Sequence, residues 1–162
     1  MFVTPESVDL LKGFSPVEQF KNHGKTWVIE GLTSKNQGID FLEKFGGYLC
    51  DLQAFGKFVK TGKNKVSTSQ LRNIFGEVKR IELAVDGDDE KWKKKENDFS
   101  LLRPKIAYNV SRVLANEKGS RIKELGEVLI LAHKHVDSAS ALRNFSQLLE
   151  GILAYHKYFG GK

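Results

Sequence analysis

The chain has 162 residues, 40% of them hydrophobic, and a formal net charge of +6 with a sequence pI near 9.3. This length suffices for one domain with a buried core, and the hydrophobic content excludes a disordered tail. The longest apolar runs are far too short to span a bilayer, which predicts a cytoplasmic protein without a membrane segment. The positive charge favours nucleic acid or another acidic surface as partner, although an ordinary basic protein without such a partner carries the same charge.

Residues 1–35 predict an irregular N-terminal extension, separate from a helical domain over residues 36–162. Prolines and glycines, among them Pro5 and Pro16, interrupt short stretches of mixed composition in this extension. Within it, Trp27–Ile29 fits either a brief strand or an irregular segment packed on the body. The N-terminus has no basic region followed by a long apolar segment, so a signal peptide is not expected.

Helical spacing of apolar residues begins near Gln37, and Thr61–Gly62 is predicted to end this first helix. Gly46–Gly47 should weaken it by about 1 kcal/mol per glycine relative to alanine. Cys50 lies in the apolar stripe of the same helix and is the only cysteine. A single cysteine excludes an intramolecular disulfide and a cysteine-rich zinc site.

A second helix is predicted over Thr68–Val85, where the local signal is clearest. Ser67 stands three residues before Gln70, the spacing of a capping box in which each side chain satisfies a free backbone N–H at the helix start. Apolar residues then recur at helical spacing and predict one core-facing stripe. The members of this stripe are Leu71, Ile74, Phe75, Val78 and Ile81.

The remaining chain predicts one loop and three more helices. The segment Asp86–Lys95 is acidic first and basic second, which favours a solvated loop, with a lysine contact to RNA as the alternative. A third helix begins near Arg103, with Pro104 tolerated in its first turn. Two further helices follow over Arg121–Val136 and Ala139–Phe159. Five helical segments without an alternating strand pattern predict an all-α fold, a compact helical bundle of about five helices.

The positive charge is concentrated in one part of the sequence. Lys57–Arg80 contains seven basic residues and one acid, a net charge equal to that of the whole chain. Arg72 and Lys79 are seven residues apart and share a face of the second helix, about 100–120° from its apolar stripe. A local basic patch of this kind favours a polyanionic partner.

The third helix has a basic face with the same spacing. Lys105 and Arg112 are seven residues apart, and Tyr108 lies between them on the same side. Basic side chains neutralise phosphates and an aromatic ring can stack on a base or sugar, so the pattern fits RNA binding. Two alternatives stay open, because solvent-facing sides of helices often carry Lys and Arg, and Tyr108 fits packing at a helix edge equally well.

Catalytic and metal-binding patterns are missing from the sequence. His133 and His135 are two residues apart, so on a helix they point about 200° apart and cannot share a metal. No Glu-x-x-His pair and no GxxxxGK[ST] phosphate loop occurs. His156 falls near an apolar stripe, which favours a packing role over catalysis. The sequence therefore predicts a protein that is not an enzyme and has no metal or cofactor.

Three segments carry a further signal in their order and spacing: Val66–Phe75 with the following Glu77–Val78, Leu102–Tyr108 with Arg112, and Ala154–Tyr158. Together they resemble the small-subunit family of type III-A CRISPR effector complexes, the Csm complexes. The resemblance extends over roughly residues 37–162. It gives no information on the N-terminal extension.

The resemblance implies a non-catalytic helical-bundle subunit that stacks head-to-tail on further copies of itself and contacts other Csm subunits. It also implies contacts with the backbone of a guide RNA–target RNA duplex without sequence specificity, target cleavage belonging to a neighbouring subunit. Arg72, Lys105 and Arg112 lie within the matching motifs. Lys63, Lys65 and Lys79 are predicted from charge alone, and Tyr108 and Lys157 fit a packing role as well as an RNA contact. The predicted RNA-binding residues are Lys63, Lys65, Arg72, Lys79, Lys105, Tyr108, Arg112 and Lys157.

Two rival functions remain open at the level of sequence. The first is a protein–protein adaptor whose basic face binds an acidic partner; salt-sensitive binding to an acidic protein, and not to RNA, would identify it. The second is a helical RNA-processing enzyme, which cleavage dependent on His156 would identify. The enzyme is disfavoured because acid–base chemistry on RNA needs an acid and a base held together, and no such pair is visible.

Overall fold

The computed structural model describes residues 4–9 and 11–162, which form eight helices and one antiparallel pair of strands. None of the helices in these residues is both long and apolar enough to cross a membrane. The fold is therefore mostly helical but not strictly all-α, and it has more helices than the five predicted. The elements are α1 (Pro5–Asp9), α2 (Pro16–Glu30), α3 (Gly38–Leu49), β1 (Leu52–Phe55), β2 (Phe58–Thr61), α4 (Thr68–Val85), α5 (Asp89–Ser100), α6 (Leu102–Asn116), α7 (Ile122–His133) and α8 (Ala139–Tyr158).

Helix α8 lies at the centre of the fold. It packs against α2, α3, α4 and α5, while α7 packs between α2 and α6. Its buried residues recur along most of its length and include Leu142, Phe145, Leu149 and Ile152. A helix with apolar contacts on several sides must be buried, so α8 is the axis on which the other helices are placed.

Two glycines bring α3 and α8 unusually close together. A Cβ atom added to Gly46 would lie 2.5 Å from the Cβ of Tyr155 and 2.8 Å from the backbone nitrogen of His156. On the opposite helix, a Cβ at Gly151 would lie 2.5 Å from a methyl carbon of Leu42. Gly46 therefore lowers the helix propensity of α3 but permits a contact between the two helices that a larger residue would prevent.

The predicted irregular N-terminal extension is wrong over residues 16–30, which form α2. Pro16 occupies the first turn of this helix, where its missing N–H costs no hydrogen bond. Phe20, Trp27 and Val28 are buried in the main core, and the indole N–H of Trp27 donates to the Asn36 carbonyl at 2.8 Å. Both the strand and the irregular segment considered for Trp27–Ile29 are thus wrong. Residues 1–3 and 10 of the same extension lie outside the described residues.

The prediction of one helix from Gln37 to Thr61 is wrong after Leu49. β1 and β2 form a hairpin there, with Phe55 paired to Phe58 across a two-residue turn. Gly56 in this turn has a φ of +60°, a conformation that glycine adopts without steric cost. Leu52, Phe55 and Val59 recur at helical spacing and the apolar residues of the segment do not alternate, so spacing alone favours a helix where the structure has a hairpin.

The helices that carry clear sequence signals are confirmed. In α4 both hydrogen bonds of the capping box form: the Ser67 backbone N–H donates to Gln70 Oε1 at 2.9 Å, and the Gln70 N–H donates to Ser67 Oγ at 3.1 Å. Helices α6, α7 and α8 lie within a few residues of their predicted bounds.

The predicted charged loop over Asp86–Lys95 is wrong from residue 89 onward, where α5 begins. Asp88 caps this helix by accepting hydrogen bonds from the backbone N–H groups of Glu90 and Lys91 at 2.8 and 3.3 Å. Trp92 and Phe99 on α5 are buried against the core. The sequence did not predict this amphipathic helix because the segment is highly charged and has only two large apolar residues.

The contact between α3 and α8 predicts opposite effects for two glycine-to-alanine substitutions. Gly46→Ala is expected to lower the free energy of unfolding by roughly 1–3 kcal/mol, because the added methyl group overlaps backbone atoms of α8. Gly76→Ala is the matched control: Gly76 is exposed on α4 with open space around its Cα, so alanine should stabilise by about 0.5–1 kcal/mol. Urea denaturation measures both, and an unchanged stability in Gly46→Ala would contradict the close approach.

Candidate nucleic-acid interface

A polar groove runs between α4 and α6, defined here as the α4–α6 groove. One part of it is lined by Gln70 and Asn73 from α4 and by Asn109, Arg112 and Asn116 from α6. The adjoining part shares Asn73 and Asn109. It adds Glu77 from α4 and Lys105, Pro104 and Tyr108 from α6.

The groove exists because α6 is a peripheral helix that buries only one narrow face. Leu102 and Ile106 are its buried residues, and Val110 and Val113 are half-buried against the core. Ala107, although apolar and next to the buried Ile106, is exposed. The rest of the helix surface therefore faces solvent and is free to carry polar side chains.

Three of the predicted RNA-binding residues come together on α6. The Tyr108 side chain is 63% exposed, and the guanidinium of Arg112 lies 5.9 Å from the centre of its ring. Lys105 Nζ lies 3.8 Å from Glu77 Oε2 across the groove. The resulting surface combines an exposed aromatic ring with two cations, one on each side of it along the helix.

Glu77 is the carboxylate that opposes this positive charge. Its Oε2 atom also lies 3.2 Å from Arg80 Nη2, so one carboxylate oxygen serves two basic side chains. All three side chains are about half exposed. Exposed ion pairs of this kind contribute little to stability, so an incoming phosphate can replace Glu77 as the partner of Lys105.

Arg72 and Lys79 lie on a different face of α4 from the groove. Arg72 is exposed and stands five residues before Glu77, which corresponds to about 140° around the helix. Lys79 is ion-paired with Glu82 at 3.5 Å. The structure therefore does not bring Arg72 into one surface with Lys105 and Arg112, and a role for Arg72 and Lys79 in RNA binding stays a prediction.

The other predicted residues lie elsewhere on the molecule. Lys63 and Lys65 are in the loop between β2 and α4, where Lys65 Nζ donates to Thr61 Oγ1 at 3.4 Å. Lys157 is exposed in the last turn of α8. RNA binding by these three lysines also stays a prediction.

The amide side chains of the groove were not predicted from the sequence, in which only basic and aromatic residues were taken as RNA contacts. Asn109 and Asn116 are seven residues apart on α6, the same spacing as Lys105 and Arg112, and Asn73 faces them from α4. Amides donate and accept hydrogen bonds, so they suit phosphate oxygens and sugar hydroxyls. The seven-residue spacing of the asparagines was the signal that could have found them.

Two arginines, Arg103 and Arg121, bond to other parts of the fold and are not simply surface charges. Arg103 donates to His133 Nδ1, with nitrogen–nitrogen distances of 3.2 and 3.3 Å. Arg121 donates to the Tyr48 carbonyl at 2.7 Å and lies 2.9 Å from Asp51 Oδ1. Both guanidinium groups have internal partners.

The buried histidines have structural partners as well. His156 Nε2 lies 2.6 Å from the Val66 carbonyl and His133 Nε2 lies 2.6 Å from the Phe99 carbonyl, so in each case the Nε2–H group donates. Both rings are buried, consistent with the packing role expected for His156. Among residues 4–9 and 11–162, no group of three or more His, Cys, Asp or Glu side chains is arranged to hold a metal ion.

Burial sets the protonation of these groups. Burial lowers the pKa of His133 and of His156 below the ordinary value of 6.5, and the nearby charges of Arg103 and Lys157 lower it further. Burial and then Lys25 lower the pKa of His135. Burial raises the pKa of the Cys50 thiol to about 12, so the thiol stays protonated and lies 3.3 Å from the His156 carbonyl.

Comparison with known proteins gives matches to one family. The family model Csm2 Type III-A matches residues 51–162, which include the hairpin and helices α4 to α8. The CRISPR system Cms protein Csm2 of Streptococcus thermophilus is 28% identical over 103 residues, covering 62% of this chain and 78% of the relative. No solved structure gives a significant match.

The buried histidines predict a loss of stability in mild acid. Because their pKa is lowered in the folded state, the unfolded chain binds more protons, and the stabilisation present above about pH 6.5 is lost as the pH falls through the folded-state pKa. The free energy of unfolding should decrease by up to about 1.4 kcal/mol per pH unit for each such proton. Urea denaturation from about pH 7.5 to about pH 5.5 measures this above the main carboxylate titration. A constant free energy of unfolding across that window would contradict it.

Proposed function

The chain belongs to the Csm2 family, the small subunits of the type III-A CRISPR complex, and from this premise we propose that its α4–α6 groove binds the backbone of the guide RNA–target RNA duplex. As a Csm2 subunit it is a structural component whose partners include the other Csm subunits. One observation carries the proposal: Lys105, Tyr108 and Arg112 share one exposed face beside a row of amides. The cytoplasmic location expected from the sequence belongs to the same proposal.

The groove chemistry supports backbone contacts. Lys105 and Arg112 can each neutralise a phosphate and release its counterions, which contributes affinity that does not depend on sequence. Asn73 and Asn109 can hydrogen-bond sugar hydroxyls, including the 2′-hydroxyl that distinguishes RNA from DNA. Base pairing between guide and target then supplies the sequence specificity.

The proposed role is non-catalytic. General acid–base catalysis needs a proton donor and a proton acceptor positioned together at the substrate. The α4–α6 groove is lined by amides, two basic residues, Tyr108 and the carboxylates Glu77 and Glu117, while the buried His133 and His156 are engaged by backbone carbonyls. The groove is therefore suited to holding RNA, and the chemistry is assigned to other subunits.

Affinity in the complex is proposed to come from repetition. One groove neutralises few phosphates, so an isolated subunit should bind RNA weakly and with strong salt dependence. Copies stacked head-to-tail along the duplex would each add contacts at high effective concentration. Self-association of the chain is part of this proposal.

Neutralising the two groove cations is expected to weaken RNA binding. The variant Lys105→Gln/Arg112→Gln loses two phosphate contacts, so the slope of log Kobs against log salt should shrink by about 1.4–1.8. The matched control, Lys25→Gln/Lys35→Gln, removes the same charge from exposed positions in and after α2, and should bind like the wild type. Fluorescence anisotropy with labelled duplex RNA across a salt series gives the slopes.

Two outcomes of that comparison would contradict the site. Equal losses in both variants would mean that only net charge matters, and an unchanged groove variant would place the RNA elsewhere, with Arg72→Gln as the next variant to measure. Failure of the wild type to bind RNA, together with salt-sensitive binding to an acidic protein, would favour the adaptor function.

Removing the opposing carboxylate is expected to strengthen binding. Glu77→Gln keeps the size of the side chain but releases Lys105 and Arg80 from their shared oxygen. The affinity for duplex RNA at low salt should rise severalfold, and the difference should diminish as salt screens the charges. Glu18→Gln removes an exposed carboxylate on α2 and is the control. Weaker or unchanged binding in Glu77→Gln would show that RNA does not approach this part of the groove.

A further inference from the structure

The hairpin formed by β1 and β2 has two faces of opposite character. Leu52 and Val59 point inward and pack with Cys50 and Phe159 in a second, smaller core cluster. Because successive side chains of a strand alternate between faces, Phe55 and its cross-strand partner Phe58 lie on the opposite, outer face. The outer face of the hairpin also carries Gln53 and its partner Lys60.

The side chains of the two outer phenylalanines are largely exposed to water, which is unfavourable for apolar rings. Phe55 is 68% exposed and Phe58 is 73% exposed, the highest fractions among the large hydrophobic side chains in the described residues. Lys60 Nζ lies 5.1 Å from the centre of the Phe55 ring, at cation–π distance. Two highly exposed aromatic side chains at paired positions of a hairpin indicate a contact site.

The base of the hairpin is held rigidly on the body. Asp51, which enters β1, lies 2.9 Å from Arg121 Nη2, and its other oxygen accepts from the Asn64 backbone N–H at 3.1 Å. Beyond β2, the Val66 N–H donates to the Leu49 carbonyl at 2.8 Å. Both ends of the hairpin are thus fixed, so the aromatic pair is presented at a defined position.

The charged side chains of the hairpin itself are all positive. The nearest acids are Asp51, which lines the same pocket as Phe55 and Lys60, and Glu6 and Asp9 on α1, which contacts both strands. Residues 52–65 contain no acid, and Asp51, immediately before them, is paired with Arg121. Charged residues are depleted at the centres of protein–protein interfaces, so lysines interleaved with the rings argue against a protein partner. The lysines of this segment are Lys57, Lys60, Lys63 and Lys65.

We propose that the outer face of the hairpin binds single-stranded RNA, with unpaired bases stacked on Phe55 and Phe58 and phosphates neutralised by the surrounding lysines. Aromatic side chains beside a positively charged track are the general solution for binding unpaired bases without sequence specificity. The proposal extends the RNA-binding function assigned to the α4–α6 groove, but it uses different residues and a different form of RNA.

The test compares two variants on two forms of RNA. Phe55→Leu/Phe58→Leu keeps apolar side chains on the hairpin but removes the ring faces, and both positions are exposed, so the fold should persist. Its affinity for labelled oligoadenylate should fall at least tenfold, while its affinity for duplex RNA stays within about twofold. Lys105→Gln/Arg112→Gln should show the larger loss on the duplex.

A second measurement reports stacking directly. Trp27 and Trp92 are buried, so Phe58→Trp places the one exposed indole of the described residues on the hairpin. Its fluorescence should be quenched by oligoadenylate and not by inorganic polyphosphate at equal phosphate concentration. Quenching by both would indicate charge contact without stacking and overturn the proposal.

The outcomes separate this proposal from the function of the groove. If the wild type binds duplex RNA but the leucine variant retains full affinity for oligoadenylate, the hairpin proposal fails alone. If the wild type binds neither RNA, both fail. If the leucine variant keeps its RNA affinity and changes its sedimentation behaviour instead, the hairpin face is a protein contact and the proposal is overturned.

Discussion

The contact of Gly46 with the backbone of α8 fixes the positions of both surfaces to which a function is assigned. At this point α3 lies against Tyr155 and His156. His156 in turn donates to the Val66 carbonyl, and the Val66 N–H donates to the Leu49 carbonyl at the end of α3. The start of α4 and the base of the hairpin are thus tied to the same pair of helices. A shift of α3 along α8 would move the groove and the hairpin together.

The two surfaces differ in the way that their polar groups are satisfied. In the α4–α6 groove, Lys105 and Arg80 share one carboxylate, and the ion pairs are exposed to solvent, so they exchange partners at little cost in free energy. At the base of the hairpin, Asp51 is buried and engaged by Arg121 and by backbone, so it is a fixed structural element. The molecule therefore places exchangeable charges where it is proposed to bind a ligand and fixed ones where it needs rigidity.

Local sequence signals predicted part of this fold, and tertiary contacts decided the rest. The capping box at Ser67 specifies the start of α4 within a few residues, so that helix follows from the sequence alone. The hairpin was missed because Leu52, Phe55 and Val59 fit helical spacing and no alternation marks the strands, which leaves the glycine turn at Gly56 as the local signal. Helix α5 was missed because its high charge suggests a loop. In the structure Trp92 and Phe99 are buried and pack the helix against the core.

The candidate interface, too, could be predicted from the sequence only in part. The seven-residue spacing of Lys105 and Arg112 places them on one face of α6 from sequence alone, because helix geometry determines it. The placement of Arg72 outside the groove depends on how α4 is rotated against α6, which spacing within one helix cannot determine. Arg103 could not be recognised as an internal hydrogen-bond donor from sequence, because its partner His133 is thirty residues away.

The buried state of Cys50 has a practical consequence for labelling chemistry. The thiolate is the nucleophile that attacks an alkylating reagent, and a buried thiol with a pKa of about 12 forms almost no thiolate at neutral pH. The native chain is therefore inert towards maleimides while folded. A cysteine introduced at the exposed hairpin turn, for example Lys57→Cys, would accept one dye or spin label without removal of the natural thiol.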